Sequence, residues 1–254
     1  MDLPANTFKA AIKAGRQQVG LWSSLASHLT VEVLAGAGFD WLLLDTEHAP
    51  NALPMVVQQL QAAKGGTAHP IVRPAWNDPV LIKGYLDAGV QTFLIPYVQD
   101  EAEARQAVAA TRYPPRGVRG FASASRASGY GRVKGYHGGC EAELCVLVQV
   151  ETRHALGNLE AIASVDGVDG VFIGPGDLSA DMGFLGQPSH PEVVSAIDDA
   201  IRRIKACGAA PGILTGDEAL ARRFIAQGCL FTAVGADVAI LVRETERLAA
   251  RFRE

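Results

Sequence analysis

Apolar runs of five to seven residues alternate along the chain with longer stretches in which apolar positions recur every three or four. The runs are VGLWS (19–23), WLLLD (41–45), PIVRP (70–74), FLIPYV (93–98), CVLVQVE (145–151), GVFIGP (170–175), APGIL (210–214) and LFTAVG (230–235). Their near-continuous apolarity, without the in/out alternation of a half-solvated sheet, predicts parallel strands covered by helices. Between them, Gly38, Gly89, Gly208 and Gly228 follow amphipathic stretches and stand where a helix closes in left-handed geometry. Asp78-Pro79 and His190-Pro191 put proline at the first helical position, where its missing N–H costs nothing. Eight strand–helix units predict an α/β fold of the TIM (β/α)8 barrel type rather than a doubly wound sheet, with residues 1–254 as a single domain.

Two segments depart from this rhythm. Residues 114–143 are rich in Gly, Ser and Arg and are longer than a usual connection. A working loop or lid and a plain solvent loop both remain open for them. The terminal stretch ILVRETERLAARFRE is strongly amphipathic and suits packing on its own barrel or on a neighbouring subunit.

Composition narrows the class. A chain of 254 residues with 48% hydrophobic and 20% charged residues has the make-up of an ordinary globular protein. The net charge of −4 argues against a nucleic-acid footprint and for small-molecule partners. The first residues lack the apolar core of a signal peptide, and the most apolar tract, Phe231 to Val242, is too short to span a bilayer, so the expected address is cytoplasmic, away from membranes. Cys140, Cys145, Cys207 and Cys229 show no CxxC spacing and read as reduced, mostly structural thiols.

In such a barrel the chemistry sits at the carboxyl ends of the strands. There the sequence puts Asp45, Glu47 and His48 after the second run, Arg73 on the third, Gln149 and Glu151 on the fifth, and Gly174-Pro175-Gly176-Asp177 after the sixth. Glu151 and Asp177 are hard oxygen donors suited to a divalent ion such as Mg²⁺ or Mn²⁺; alternatively, Asp177 caps the following helix. Arg73 suits a carboxylate or a developing enolate oxygen, or else forms a structural salt bridge to Asp45 or Glu47. His48 is the candidate general base, a hydrogen-bonded structural histidine being the alternative, and Asp45 and Asp87 are the carboxylates that could stand behind it. Gly176 lets a ligand approach the backbone at the helix start, or simply makes a tight turn. No dinucleotide or triphosphate cradle occurs, and no lysine falls on a strand, which argues against Schiff-base chemistry.

The stretches VLAGAGFDWLLLDTEHAPN, VRPAWNDP, ATRYPPRGVRG, CVLVQVET, GVDGVFIGPGDLSADMG, APGIL and AVGAD together resemble the HpcH/HpaI aldolases, the metal-dependent class II pyruvate aldolases, over nearly the whole chain. The resemblance implies reversible cleavage of 4-hydroxy-2-oxo acids, of the 4-hydroxy-2-oxoheptane-1,7-dioate type, to pyruvate and an aldehyde such as succinic semialdehyde. It implies a Mg²⁺, Mn²⁺ or Co²⁺ ion on Glu151 and Asp177, and substrate contacts from Gln149, Gly176 and Asp177. His48 becomes the base, Arg73 the transition-state stabiliser, and Asp87 the residue that raises the histidine's basicity, across a subunit boundary in a hexamer. Relatives acting on 2-keto-3-deoxy sugar acids and acyl-CoA lyases of the malyl-CoA type are the alternatives; the latter would need a basic groove, for which only Arg116, Arg119, Arg126 and Arg132 of the long loop offer themselves. The family pattern has Gly where Thr46 stands and commonly Ala where Gly176 stands.

Overall fold

The computed structural model describes residues 1–253. Eight strands close into one parallel barrel in sequence order: β1 (Gln18–Ser23), β2 (Trp41–Asp45), β3 (His69–Arg73), β4 (Thr92–Ile95), β5 (Cys145–Val150), β6 (Gly170–Ile173), β7 (Ala210–Leu214) and β8 (Phe231–Ala236). The helices are α1 (Thr7–Lys13), α2 (His28–Ala35), α3 (Leu53–Ala62), α4 (Pro79–Ala88), α5 (Glu101–Thr111), α6 (Tyr136–Gly139), α7 (Arg153–Gly157), α8 (Leu159–Ala163), α9 (Pro175–Asp181), α10 (Pro191–Ala206), α11 (Glu218–Gln227) and α12 (Asp237–Ala250). Each apolar run is a strand, and the eight-unit barrel stands as predicted. The fourth run stops early because Pro96 cannot donate to the ladder and Tyr97 turns to φ +54°. Asp78 and His190 cap α4 and α10 with proline next in line, and all four helix-closing glycines have positive φ.

Two cores follow from the strand period of two. Leu42, Leu44, Val72, Val148, Val171 and Ile213 pack outward against helix residues such as Val31, Val56, Ile82 and Ile197. Trp41, Leu43, Ile71, Leu94, Leu147, Phe172 and Phe231 fill the barrel, which Phe8 and Ile12 of α1 plug at its amino end. Large and small residues interlock there: a Cβ on Gly212 would lie 2.1 Å from the Phe231 ring. No helix among the described residues is long and apolar enough to cross a membrane.

The long connection lies at the amino end, because it follows α5 and feeds β5. Ala127 donates to the Asp87 carbonyl (3.0 Å) and Arg126 to that of Ala88, both at the end of α4. Arg119, whose side chain is fully buried, bonds Tyr136 Oη (3.2 Å) and lies over the Tyr113 ring (4.5 Å). The loop is thus pinned beneath its own barrel, which overturns the lid reading for the mouth of its own chain. α12 buries only Asp237 fully, leaving Val238, Leu241, Val242 and Leu248 exposed, and Phe252 just beyond it is exposed too.

Candidate active site

Asp45 and Arg73 close β2 and β3 and are partners in the strand register, so their side chains enter the barrel mouth side by side. Arg73 Nε donates to Asp45 Oδ1 (3.0 Å) and Nη2 to Oδ2 (2.6 Å), while Nη1 lies 2.8 Å from Glu47 Oε2. Both salt bridges offered as the structural alternative therefore form. Burial would push the Asp45 carboxyl up, but the guanidinium outweighs it and holds Asp45 below its ordinary value. For Glu47 burial prevails over Arg73 and His48, and its pKa rises. Thr46 Oγ1 donates to the Arg73 carbonyl (2.7 Å), so the hydroxyl at this position ties β2 to β3.

Gln149 and Glu151 come from β5 and the residue after it. Glu151 Oε1 accepts from the Tyr97 N–H (3.0 Å) and Oε2 from Gln149 Nε2 (2.5 Å). The left-handed Tyr97, unusual for a bulky residue, aims that N–H at the carboxylate. Burial, with the negative charges of Asp177 and Glu47 nearby, raises Glu151 to about 7 against the opposing Gln149 bond. Gly174 is obligatory here, since a Cβ would come within 2.5 Å of Glu151 Oε2. α9 is capped by the Gly174 position without a side-chain bond, so Asp177 is not its cap and its carboxylate is left for the mouth. Gly176 has open space on its Cβ side, so the alanine common in the family pattern would fit.

Among the described residues no three His, Cys, Asp or Glu side chains are arranged to enclose an ion. The donors that do converge are Glu151, Asp177 and the buried, unpartnered Gln149 Oε1. This set of hard oxygens, with a carboxylate driven toward protonation by burial and, after it, by its acidic neighbours, fits a divalent cation.

His48 stands at the rim with its side chain 64% exposed and Nε2 3.9 Å from Glu47 Oε2. Neither carboxylate considered for it meets the ring in this chain: Asp45 is engaged by Arg73 and bonds only the backbone N–H of His48 (3.4 Å). Asp87 lies in the last turn of α4, at the opposite end of the barrel, 3.6 Å from Arg119. The structure thus brings together Arg73, Gln149, Glu151, Gly176, Asp177 and His48, and separates Asp87 from them. Trp22 and the Tyr97 N–H escaped the sequence reading. Trp22 shares the inward parity of β1, and Pro96 marks where the chain turns.

A cavity of about 810 Å³ lies at the amino end, where Lys9 and Lys13 pair with Asp169, and Arg112 and Arg116 with Glu141. It is remote from the strand carboxyl ends, and its cations are already partnered.

Residues 18–243 match the HpcH/HpaI aldolase/citrate lyase family. The chain is 58% identical to a protein from Rhizobium etli named pyruvate aldolase, over 99% of both chains. It is 59% identical to 4-hydroxy-2-oxo-heptane-1,7-dioate aldolase of Salmonella dublin, over 97% of this chain and 94% of that one. A crystal structure of an HpcH/HpaI aldolase/citrate lyase family protein from Burkholderia cenocepacia superposes with a TM-score of 0.95 at 38% identity, covering 98% of this chain and all of the other. The chain belongs to the HpcH/HpaI aldolase/citrate lyase family, as an aldolase.

Proposed function

We propose that the protein cleaves 4-hydroxy-2-oxo acids, of the 4-hydroxy-2-oxoheptane-1,7-dioate type, reversibly to pyruvate and an aldehyde, using a divalent cation. Retro-aldol cleavage of that dioate between C3 and C4 yields pyruvate and succinic semialdehyde, so the names of the two relatives meet in one reaction. The observation that carries the reading is the Glu151 carboxylate, buried and raised to about 7 beside Asp177 and Glu47, a cluster that a cation would relieve.

Glu151 and Asp177 would hold the ion, Mg²⁺, Mn²⁺ or Co²⁺, with Gln149 and the backbone at Gly176 orienting the 2-oxo acid. When bound, such an ion supplies positive charge that draws electron density from the ketone. Arg73 would offer the hydrogens of Nη1 and Nη2 that Glu47 and Asp45 do not take to the oxygen that becomes negative as the C3–C4 bond breaks. His48 takes the proton of the C4 hydroxyl as the aldehyde forms, and a proton added to C3 completes pyruvate.

Asp87 acts on His48 across a subunit boundary in this reading, and the exposed apolar side chains of α12, Leu241, Val242 and Leu248, dock on a second copy. A homo-oligomer, a hexamer by family resemblance, is the working form. A panel of 4-hydroxy-2-oxo acids and 2-keto-3-deoxy sugar acids, assayed for pyruvate release with EDTA and after adding back each metal, tests the proposal. Expected is EDTA-sensitive release with the dioate the best substrate; release unaffected by chelator, or intact in both His48→Ala and Glu151→Ala, overturns it.

A further inference from the structure

We propose that Trp22 is a positioning residue for Arg73, acting at once through its indole N–H and its ring face. The inference rests on the reading of Arg73 as the group that meets developing negative charge. Trp22 is the inward-facing residue of β1 at the level of the mouth and is only 4% exposed. Its Nε1 donates to Asp45 Oδ2 at 3.3 Å, the same oxygen that accepts from Arg73 Nη2 at 2.6 Å. Its ring lies against the guanidinium, with Arg73 Cζ 5.0 Å from the ring centroid.

A flat, five-donor cation is fixed only when both its in-plane rotation and its tilt are constrained. Asp45 sets the rotation through two parallel hydrogen bonds, and Trp22 anchors that carboxylate by a third, to the oxygen it shares with Nη2. The indole face sets the tilt: it keeps water off one side of the guanidinium by a cation–π contact. Trp22 is itself held by the Phe172 ring (5.5 Å) and the Trp41 ring (6.5 Å), so the aromatic packing inside the barrel extends to the orientation of the stabilising charge.

A double-mutant cycle tests this, with Trp22→Phe and Trp22→Leu each made in the natural chain and in the Arg73→Lys background. Expected is a fall in kcat of about threefold for Trp22→Phe, which loses the N–H but keeps a ring, and about tenfold for Trp22→Leu. KM for the 2-oxo acid should change less than kcat. In the Arg73→Lys background the same substitutions should change kcat by less than about twofold, because no bidentate guanidinium remains to be oriented. Equal losses in both backgrounds, or no loss in the natural one, overturn the inference. The conservative Phe variant keeps the cycle readable if the Leu variant folds poorly. Failure of the underlying reading shows separately, as an unchanged kcat for Arg73→Lys alone.

Discussion

Two buried arginines, at opposite ends of the barrel, are held in different ways. Arg73 at the mouth is clasped by two carboxylates and an indole face. Arg119 at the amino end is sealed completely, between two tyrosine rings, against a tyrosine hydroxyl and a thiol, with Asp87 as its carboxylate at 3.6 Å. Burying a guanidinium is costly in both places. At the mouth that cost is offset by two carboxylates, which meet all three guanidinium nitrogens; at the amino end rings, a hydroxyl and a thiol enclose the guanidinium with its Nε left unpartnered, and the enclosure pins a long loop. A buried cation alone therefore does not mark a site, whereas its place among carboxylates at the carboxyl ends of the strands does.

The largest effect expected from breaking this contrast is on Arg73→Lys, which keeps charge but loses the bidentate fork: kcat for pyruvate release should fall about 100-fold with little change in urea midpoint. Glu151→Gln should lose activity to a similar extent yet gain stability. Its carboxyl is raised from 4.5 to about 7 in the fold, so ionising it weakens the metal-free protein progressively as pH rises between those values. At pH 8 without metal the Gln variant should therefore be more stable, by on the order of 3 kcal/mol, and the difference should vanish below about pH 4.5; urea unfolding at the two pH values checks both signs.

Arg119→Met should show the reverse pattern, a loss of about 2 kcal/mol in urea unfolding because the Tyr136 hydroxyl and the Tyr113 ring lose their buried partner, with kcat per folded site reduced far less than in Arg73→Lys. A mixing experiment links the two ends. His48→Ala and Asp87→Asn proteins, each poorly active alone, should recover up to about a quarter of natural activity when unfolded together and reassembled, since some mouths then receive both natural residues. No recovery would place Asp87 outside the site. The smallest effect is expected for Leu241→Asp on α12: weaker assembly by sedimentation, with stability of the single chain changed by less than about 0.5 kcal/mol.

Much of this was legible beforehand for a local reason. Strands buried on both faces must be apolar throughout, so Leu42 to Leu44 or Val146 to Val148 announce themselves, and the polar residue that ends such a run stands at the mouth. Asp45, Arg73, Gln149 and Glu151 were found that way, and Asp177 by the turn that follows β6. Trp22 was not, because an aromatic in an apolar run reads as core filling; its second role depends on which two side chains lie beside it. For the loop at 114–143 the sequence leaves a lid and a plain loop both open, because its composition suits either end of the barrel.

Alternating hydrophobic segments, glycine stops and proline starts determined on their own the barrel and the residues at its carboxyl ends, since those signals act within a few neighbours along the chain. Only the closed tertiary structure decided that Arg73 is shared between Asp45, Glu47 and Trp22, that Arg119 seals the amino end, and that Asp87 faces away from His48 of the same chain. These depend on distances between residues far apart in sequence, and on helices running opposite to the strands, which carries the end of α4 to the far face of the barrel from the strand ends.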